Sequence, residues 1–285
     1  MSNVLPFSSS ASDIRVLQEA QPRAYAQPQV DLDNLQPTGF EILARWQHPE
    51  RGLLFPHEVL PLLPSTQAHN QLTRNLIDQT LPLLHRLERA ERPLSFAFNV
   101  LLEQLAHPDF ADYLIQVGQD QHGVQLTLEV TEQAAPHAEP LMASCLANLQ
   151  RVRDQGWKIS QDDFGTGLST YARLCALPVD ELKIERHFIR SLGKDRQAEE
   201  RIVRHLVELA QDLGLDCVAE GIEFAEQVHF LRDLGCPCGQ GYLFGAPMPL
   251  AEVGSWYAHW RVPPTQPQTS QLSADSHAWS PAWQR

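Results

Sequence analysis

Long apolar runs are absent from the sequence. No segment approaches the roughly 18 consecutive uncharged apolar residues that a membrane-spanning helix requires. Residues 1–12 also lack the basic start and the apolar stretch of a secretion signal. These two absences predict a cytoplasmic protein that has no membrane as a partner.

Basic residues are scarce as well. Lys and Arg number 22 against 35 Asp and Glu, which gives a formal net charge of −13. A broad basic surface that binds a DNA or RNA duplex is therefore not expected. A small anionic ligand is still compatible with this charge, because bound metal ions can invert the local potential.

Cysteine is sparse and lacks metal-binding spacing. The five cysteines form no CxxC pair and leave an odd residue over. Neither a zinc site nor a disulfide framework is therefore predicted. Reduced thiols packed in or near a core are the expected state.

The composition of the chain favours one large domain between two tails. Its 285 residues, 43% of them hydrophobic, suffice for a sizeable core. Residues 1–21 are rich in Ser, Ala and Gln, and residues 262–285 in Pro, Ser, Gln and Trp. Neither segment has apolar periodicity, so both are predicted to be partly disordered tails around a folded domain at 22–261.

Short β-like runs alternate with amphipathic helical patterns between these tails. A helix at 71–90, for example, has an apolar stripe formed by Leu76, Leu81, Leu84 and Leu87, and another helix is predicted at 198–213. The predicted strands lie at 24–32, 40–47, 94–100, 125–131, 157–162, 181–184, 216–219 and 240–244. This alternation predicts the α/β class and a TIM-like (β/α)8 barrel.

One connection is too short for the alternating pattern. Only about half a dozen residues separate the first strand from the second, which leaves no room for a crossover helix. These two strands are therefore predicted to pair antiparallel, as a hairpin. We assign the reversed direction to the second strand, because Glu41 near its start then lies at the mouth where the other strands end.

Polar residues suited to metal binding lie at the predicted strand ends, which meet at one mouth of a barrel. Oxygen ligands without His or Cys favour hard divalent ions such as Mg²⁺ or Mn²⁺. Adjacent aspartates fit a two-metal site that stabilises the attacking and leaving oxygens of a phosphoryl displacement. A lysine there is suited to orienting the attacking water. The set comprises Glu41, Asn99, Glu129, Asp162, Asp163, Lys183 and Glu220.

Each member of this set also has a structural alternative. A single strand-end glutamate such as Glu129 is more often a solvated rim residue or a helix cap. Asp162 and Asp163 are as well suited to capping the next turn, and Asn99 to capping a helix at 101–105. Arg45 is compatible with an ordinary surface ion pair. The metal-site hypothesis therefore depends on the whole set.

Ordered motifs across residues 25–256 resemble the EAL-domain family of cyclic di-GMP phosphodiesterases. The hexapeptide DDFGTG at 162–167 and QGYLF at 240–244 match the family's motifs outright. Similar segments are EILARW at 41–46, HPERG at 48–52, LEVTE at 128–132, LKIE at 182–185 and AEGIE at 219–223. The resemblance implies a metal-dependent enzyme that hydrolyses cyclic di-GMP to linear pGpG.

The resemblance also implies individual roles. A first Mg²⁺ or Mn²⁺ ion would be held by Glu41, Asn99, Glu129 and Asp162, and a second by Asp162, Asp163 and Glu220. Catalytic roles would fall to Lys183, Glu220 and Asp163, with Lys183 contacting the nucleophilic water. Ligand contacts would come from Gln27, Leu43, Arg45 and Gln240. A homodimer near the DDFGTG loop is expected, with that region supported by Glu132 and Glu223.

Other functions compete with this one. A receptor that binds cyclic di-GMP without cleaving it would typically lack metal ligands, and this chain keeps them all. Glu185 replaces an aspartate of the family motif, which lengthens a side chain near the site. An unrelated metal-dependent barrel hydrolase and a scaffold acting through its tails are further alternatives. No GGDEF-like motif occurs, so synthesis of the nucleotide is not expected.

Overall fold

The structure, a computed structural model, describes residues 21–87, 93–120, 123–131, 139–165, 171–193 and 197–263. Eight strands in these residues close into a barrel, because the first strand pairs with both the second and the last. The barrel strands are β1 (Arg23–Asp31), β2 (Pro37–His48), β4 (Leu94–Leu101), β5 (Val124–Thr131), β6 (Lys158–Phe164), β7 (Glu181–Ile184), β8 (Asp216–Glu220) and β9 (Cys238–Gln240). Short strands β3 (Gly52–Leu54) and β10 (Met248–Pro249) extend β2 and β1. The predicted α/β barrel is confirmed.

Helices connect most of the parallel strands. The described helices are α1 (Pro56–Val59), α2 (Thr66–Leu87), α3 (Pro108–Asp120), α4 (Glu139–Arg153), α5 (Tyr171–Ala176), α6 (Arg186–Ser191), α7 (Gln197–Leu213), α8 (Ala225–Asp233) and α9 (Leu250–Ala258). Two 3-10 turns follow α1 and β4, at Leu60–Leu62 and Leu102–Ala106. In the part of the chain that the structure describes, no helix has the length and apolarity to cross a membrane.

The predicted hairpin forms, but its reversed member is β1 rather than β2. β1 runs antiparallel to both β2 and β9, whereas β2 runs parallel to β4. The assignment to the second strand was wrong because β2 is followed by the long crossover helix α2, and such a connection makes the strands on either side parallel. The residue that prompted the error, Glu41, lies inside β2 and still reaches the mouth.

The last barrel strand lies earlier than predicted. It spans Cys238–Gln240 rather than 240–244, because the chain turns at Gly241. The amide of Phe244 donates to the carbonyl of Gly241 at 3.0 Å. A Cβ at Gly241 would collide with the backbone of Ile222, so this close approach requires glycine.

The other predicted strand boundaries agree closely with the structure. The long helix spans Thr66–Leu87 and so begins at Thr66 rather than at 71, whereas residues 88–90 of its predicted range lie outside the described residues. Most of both predicted tails, at 1–20 and 264–285, also lies outside them. The proposed domain limits therefore stay predictions.

The apolar core lies mainly between the barrel and its helices. In α7 the buried positions are Val203, Leu206, Val207 and Ala210, a helical spacing that turns one face toward the sheet. On the other side of the barrel, the Phe40 and Phe96 rings stack with their centroids 5.7 Å apart. Each buried phenylalanine contributes about 1.5–3 kcal/mol, so this packing fixes the strands that carry the polar site. The cysteines are free thiols, and only Cys175 among them is exposed.

Candidate metal centre and ligand cleft

Strand register brings the predicted polar residues to one mouth of the barrel. Asn99 on β4 is the partner of Glu129 on β5, and Gln27 on β1 is the partner of Glu41 on β2. Glu220 on β8 is likewise the partner of Gln240 on β9. Because adjacent strands place register partners side by side, residues far apart in sequence converge.

Lys183 lies at the centre of this group, and only 1% of its side chain is exposed. Its Nζ lies 2.5 Å from Glu220 Oε1 and 2.9 Å from Glu129 Oε2. The nearest oxygens of Asp162 and Glu41 lie 3.6 Å and 3.7 Å from it. Burial alone would lower the pKa of Lys183, but these carboxylates raise it well above its usual value. One ammonium therefore faces an excess of negative charge.

Burial and mutual repulsion alter the titration of the surrounding carboxyl groups. Burial raises the pKa of Glu129 well above its usual range, and the neighbouring charge of Glu41 adds to the increase. Burial also raises the pKa of Glu220 to about 8, although Lys183 opposes this change. The pKa of Asp162 is raised for the same reason. This arrangement is one that a divalent cation would stabilise.

Glu41 is held in its ionised form by the charge of Lys183 and by hydrogen bonds. Asn99 Nδ2 donates to Glu41 Oε1 at 2.8 Å, and Gln240 Nε2 donates to Glu41 Oε2 at 2.5 Å. Burial would raise the pKa of Glu41, but Lys183 and these two donors lower it below its ordinary value. Asn99 thus supports the site and is not the cap that its sequence position suggested, because the turn at Leu102–Ala106 has Leu101 as its N-cap residue.

A distortion in β6 directs two successive aspartates toward the mouth. The pairing of β6 with β7 is irregular between Gln161 and Phe164, and Asp163 has a φ of 49°. Successive side chains of a regular strand point to opposite faces, so this bulge is needed to bring both carboxylates together. The Asp163 amide donates to Asp162 Oδ1 at 3.0 Å. A non-glycine residue in this left-handed region costs roughly 1–2 kcal/mol, a strain that is typical of functional sites.

The donor set fits a divalent metal. One carboxylate oxygen from each of Asp162, Asp163 and Glu220 can lie within 4.8 Å of the other two. Glu129 is fully buried, and its Oε1 has no hydrogen-bond partner. An unpartnered buried carboxylate oxygen is costly unless an ion satisfies it. Oxygen-only donors of this kind suit Mg²⁺ or Mn²⁺.

A cleft of about 510 Å³ opens beside these carboxylates. All of the predicted ligand-contacting residues line it, namely Gln27, Leu43, Arg45 and Gln240. Gln240 also ties the cleft to the metal centre, because its Nε2 donates to Gln27 Oε1 at 3.1 Å as well as to Glu41. The sequence analysis missed several other lining residues. These are Phe55, Pro56, His57, Arg186, Arg190 and Pro247.

Arg45 is buried in the cleft wall rather than exposed in a surface ion pair. Only 6% of the residue is exposed, and its Nη1 donates to the Ala44 carbonyl at 2.8 Å. The guanidinium carbon lies 4.8 Å from the ring centroid of Phe55 and 5.8 Å from that of Tyr25. These contacts orient the side chain at the cleft by cation–π attraction.

The remaining predicted residues have different outcomes. Glu223 forms an ion pair with Arg190 at 2.6 Å on the cleft wall. Glu185 caps α6, since its Oε2 accepts a hydrogen bond from the His187 amide at 2.8 Å. Gly221 follows the site residue Glu220 with a φ of 77°, and a Cβ there would meet the Arg186 side chain. Glu132 lies outside the described residues.

Comparisons with known proteins agree with this geometry. Residues 14–247 match the family described as the EAL domain. "Cyclic di-GMP phosphodiesterase RocR" of Pseudomonas aeruginosa is 36% identical over 248 residues, which cover 86% of this chain and 62% of that protein. The chain therefore spans less than two thirds of that relative.

Solved structures show the same fold. The structure described as "PaMucR Phosphodiesterase, c-di-GMP complex" is 34% identical with a TM-score of 0.73, over 85% of this chain and 98% of that one. Klebsiella pneumoniae BlrP1, in a manganese/cy-diGMP complex, is 25% identical with a TM-score of 0.65, over 81% of this chain and 57% of that one.

Proposed function

This chain belongs to the EAL domain family, and we propose on that premise that it is a metal-dependent phosphodiesterase that hydrolyses cyclic di-GMP to linear pGpG. The names of RocR and of the PaMucR complex support this substrate. The observation that carries the proposal is the complete acidic centre around Lys183 at the end of a cleft. A receptor without catalysis would not need this set of ligands.

In the proposed reaction, two Mg²⁺ or Mn²⁺ ions would activate the attacking water and neutralise charge on the phosphate. Glu41, Asn99, Glu129 and Asp162 would hold one ion. Asp162, Asp163 and Glu220 would hold the other. The manganese complex of the relative BlrP1 is consistent with such a centre.

The protein side chains would orient the substrate and the nucleophile. Lys183, fixed by burial and by its short contacts to Glu129 and Glu220, would contact the attacking water and stabilise developing charge. Arg45 and Gln240 would hold the nucleotide in the cleft, where Arg45 supplies positive charge for a phosphate. Gln240 would also keep Glu41 oriented through the 2.5 Å hydrogen bond. We further propose that the enzyme is a cytoplasmic homodimer, with Glu132 and Glu223 supporting the region near its interface.

The decisive experiment is incubation of the purified protein with cyclic di-GMP and Mg²⁺ or Mn²⁺, followed by chromatographic separation of the nucleotides. Metal-dependent appearance of pGpG is the expected result, and EDTA should prevent it. The matched control is Asp163→Asn, which keeps the shape of the side chain and removes a ligand charge. Saturable binding with no product would indicate a receptor instead.

A further inference from the structure

Phe55 is an exposed aromatic residue within the ligand cleft. It is 43% exposed, although its neighbours Leu54 and Val59 are buried. Phe55 lines the same cleft as Arg45 and Asp163. Ligand pockets characteristically combine aromatic walls with a few polar groups, so an open phenyl ring at this position suggests contact with a flat apolar part of the ligand.

The backbone at Phe55 is fixed before any ligand binds. Its amide donates to Glu58 Oε2 at 2.9 Å, and Glu58 Oε1 accepts from Arg51 Nη2 at 3.1 Å. Pro56 occupies the first position of α1, where its restricted φ suits the start of a helix. This anchoring limits the entropy lost when a ligand packs on the ring.

One side of the phenyl ring contacts a buried cation. The guanidinium carbon of Arg45 lies 4.8 Å from the Phe55 centroid, and Tyr25 contacts the same guanidinium at 5.8 Å. Arg45 is only 6% exposed, so its position is fixed by these rings and by the strand that carries it. The remaining exposed surface of Phe55 stays available for stacking.

The His57 ring extends this surface. The Phe55 and His57 rings are inclined by only 19°, with their centroids 6.2 Å apart. The two rings are stacked, and Phe55 still keeps 43% of its surface exposed. Both residues line the cleft. Together the two rings give this part of the cleft an aromatic wall that a flat base can contact.

We propose that Phe55, supported by Arg45 and extended by His57, is a stacking platform for a purine base of the substrate. The proposal builds on the cyclic di-GMP activity proposed above and adds a residue outside the family motifs. Phe55 determines affinity for the base and does not take part in phosphoryl chemistry. Base–aromatic stacking tolerates all bases, so the platform selects flat heterocycles over phosphoesters that have no base.

The test compares the dissociation constant of cyclic di-GMP for the wild type, Phe55→Ala and Phe55→Tyr. Equilibrium binding is measured in EDTA and again with Mg²⁺, and KM and kcat are measured where hydrolysis occurs. The alanine variant should lose roughly 5- to 150-fold in affinity, with the same increase in KM and a nearly unchanged kcat. The tyrosine variant should keep the affinity of the wild type.

Phe224→Ala is the matched control. Phe224 is 53% exposed and is not among the residues lining the cleft, so its removal should leave the dissociation constant unchanged. Thermal unfolding of each variant checks the fold. As a spectroscopic signature, Phe55→Trp should show fluorescence quenching by cyclic di-GMP beyond that of the wild type.

The possible outcomes separate the two proposals. Binding without hydrolysis would reject the enzyme, while the affinities of the variants would still decide the platform. Equal affinity of the wild type and Phe55→Ala would overturn the platform, whether or not pGpG is formed. If the wild type binds no cyclic di-GMP with or without Mg²⁺, both proposals fail.

Discussion

The ammonium of Lys183 lies 2.5 Å from the carboxylate of Glu220 in the interior of the barrel mouth. Desolvating such a pair is expensive, and removing one partner leaves an uncompensated buried charge. Lys183 therefore balances part of the acidic cluster before metal binds, in addition to its proposed contact with the nucleophilic water. Stability and the proposed catalysis would consequently depend on the same side chain.

Lys183→Met should separate these two roles, because methionine fills similar space without charge. In EDTA at about pH 9, where Glu220 with its pKa of about 8 is ionised, the free energy of unfolding should fall by about 3–5 kcal/mol, the usual loss when a buried ion pair is broken. With saturating Mn²⁺, kcat should fall by at least about 100-fold, whereas the dissociation constant of cyclic di-GMP should change much less. Denaturant unfolding and steady-state kinetics measure the two effects.

Lys158→Met is the control for this substitution. Lys158 Nζ lies 2.7 Å from Asp216 Oδ2, but its side chain is 40% exposed. Exposed pairs contribute only about 0–1 kcal/mol, so stability and kcat should change little. A Lys183 variant that loses affinity but keeps its turnover would contradict the proposed contact with the nucleophile.

Glu41→Gln should abolish hydrolysis while leaving the barrel folded. The substitution removes a proposed metal-ligand charge, and an ion contributes several kcal/mol of transition-state stabilisation; kcat should therefore fall by at least about 100-fold. The exposed glutamate Glu208 provides the control Glu208→Gln, which should retain full activity. The measurement is the rate of pGpG formation. Full activity of Glu41→Gln would show that Glu41 is not a metal ligand.

The positions of the site residues could largely be predicted from the sequence, because strand ends in a barrel converge on one mouth. Glu129, Lys183 and Glu220 lie together there. The direction of β1 was predicted wrongly, since a short hairpin connection shows only that two strands oppose each other. The crossover helix after β2 identifies the reversed strand, because such a connection makes β2 parallel to the next barrel strand.

Other features depend on tertiary structure that no local pattern encodes. The bulge that brings Asp162 and Asp163 together is an irregularity in the pairing of β6 with β7. Phe55 gave no periodic or motif signal, and its proposed role becomes visible only where its ring, between β3 and α1, meets Arg45 on β2. Pairing and packing across the barrel fix both features.

Stability of the metal-free protein should decrease as the pH rises from about 5 to about 8. Glu220 has a folded-state pKa of about 8 and the pKa of Glu129 is also raised, whereas an unfolded glutamate titrates near pH 4.3. Between these two pKa values the folded state therefore binds more protons than the unfolded state. The stabilisation is complete below the pKa of the unfolded glutamate and is lost as the pH rises to the pKa of the folded one. Glu41, whose pKa is lowered, and Lys183, whose pKa is raised, change their protonation outside this pH range.

Thermal unfolding across this pH range, in EDTA and in Mn²⁺, tests that prediction. Bound cations favour the ionised carboxylates, so Mn²⁺ should raise the midpoint most at the alkaline end and should flatten or reverse the pH trend. Asp163→Asn, which removes a ligand charge, should weaken the response to Mn²⁺. Parallel curves with and without metal would show that the carboxylates do not bind the ion.

Glu185→Asp restores the residue found in the family motif and should leave activity almost unchanged. The Glu185 carboxylate accepts a hydrogen bond from the His187 amide at 2.8 Å and thereby caps α6. Aspartate is also a favourable N-cap residue, so we expect a change in unfolding free energy within about 0.5 kcal/mol. Because the cap does not depend on the metal centre, kcat should change little from that of the wild type.

Glu185→Ala distinguishes a capping role from a catalytic one. It should lower the free energy of unfolding by about 0.5–2 kcal/mol, the usual cost of losing a cap. If Glu185 acts only through α6, kcat at saturating Mn²⁺ should fall far less than in Lys183→Met. If Glu185→Ala were as inactive as Lys183→Met yet fully stable, the carboxylate would have to act on the reaction itself. The longer side chain would then be a functional departure from the family motif rather than a structural one.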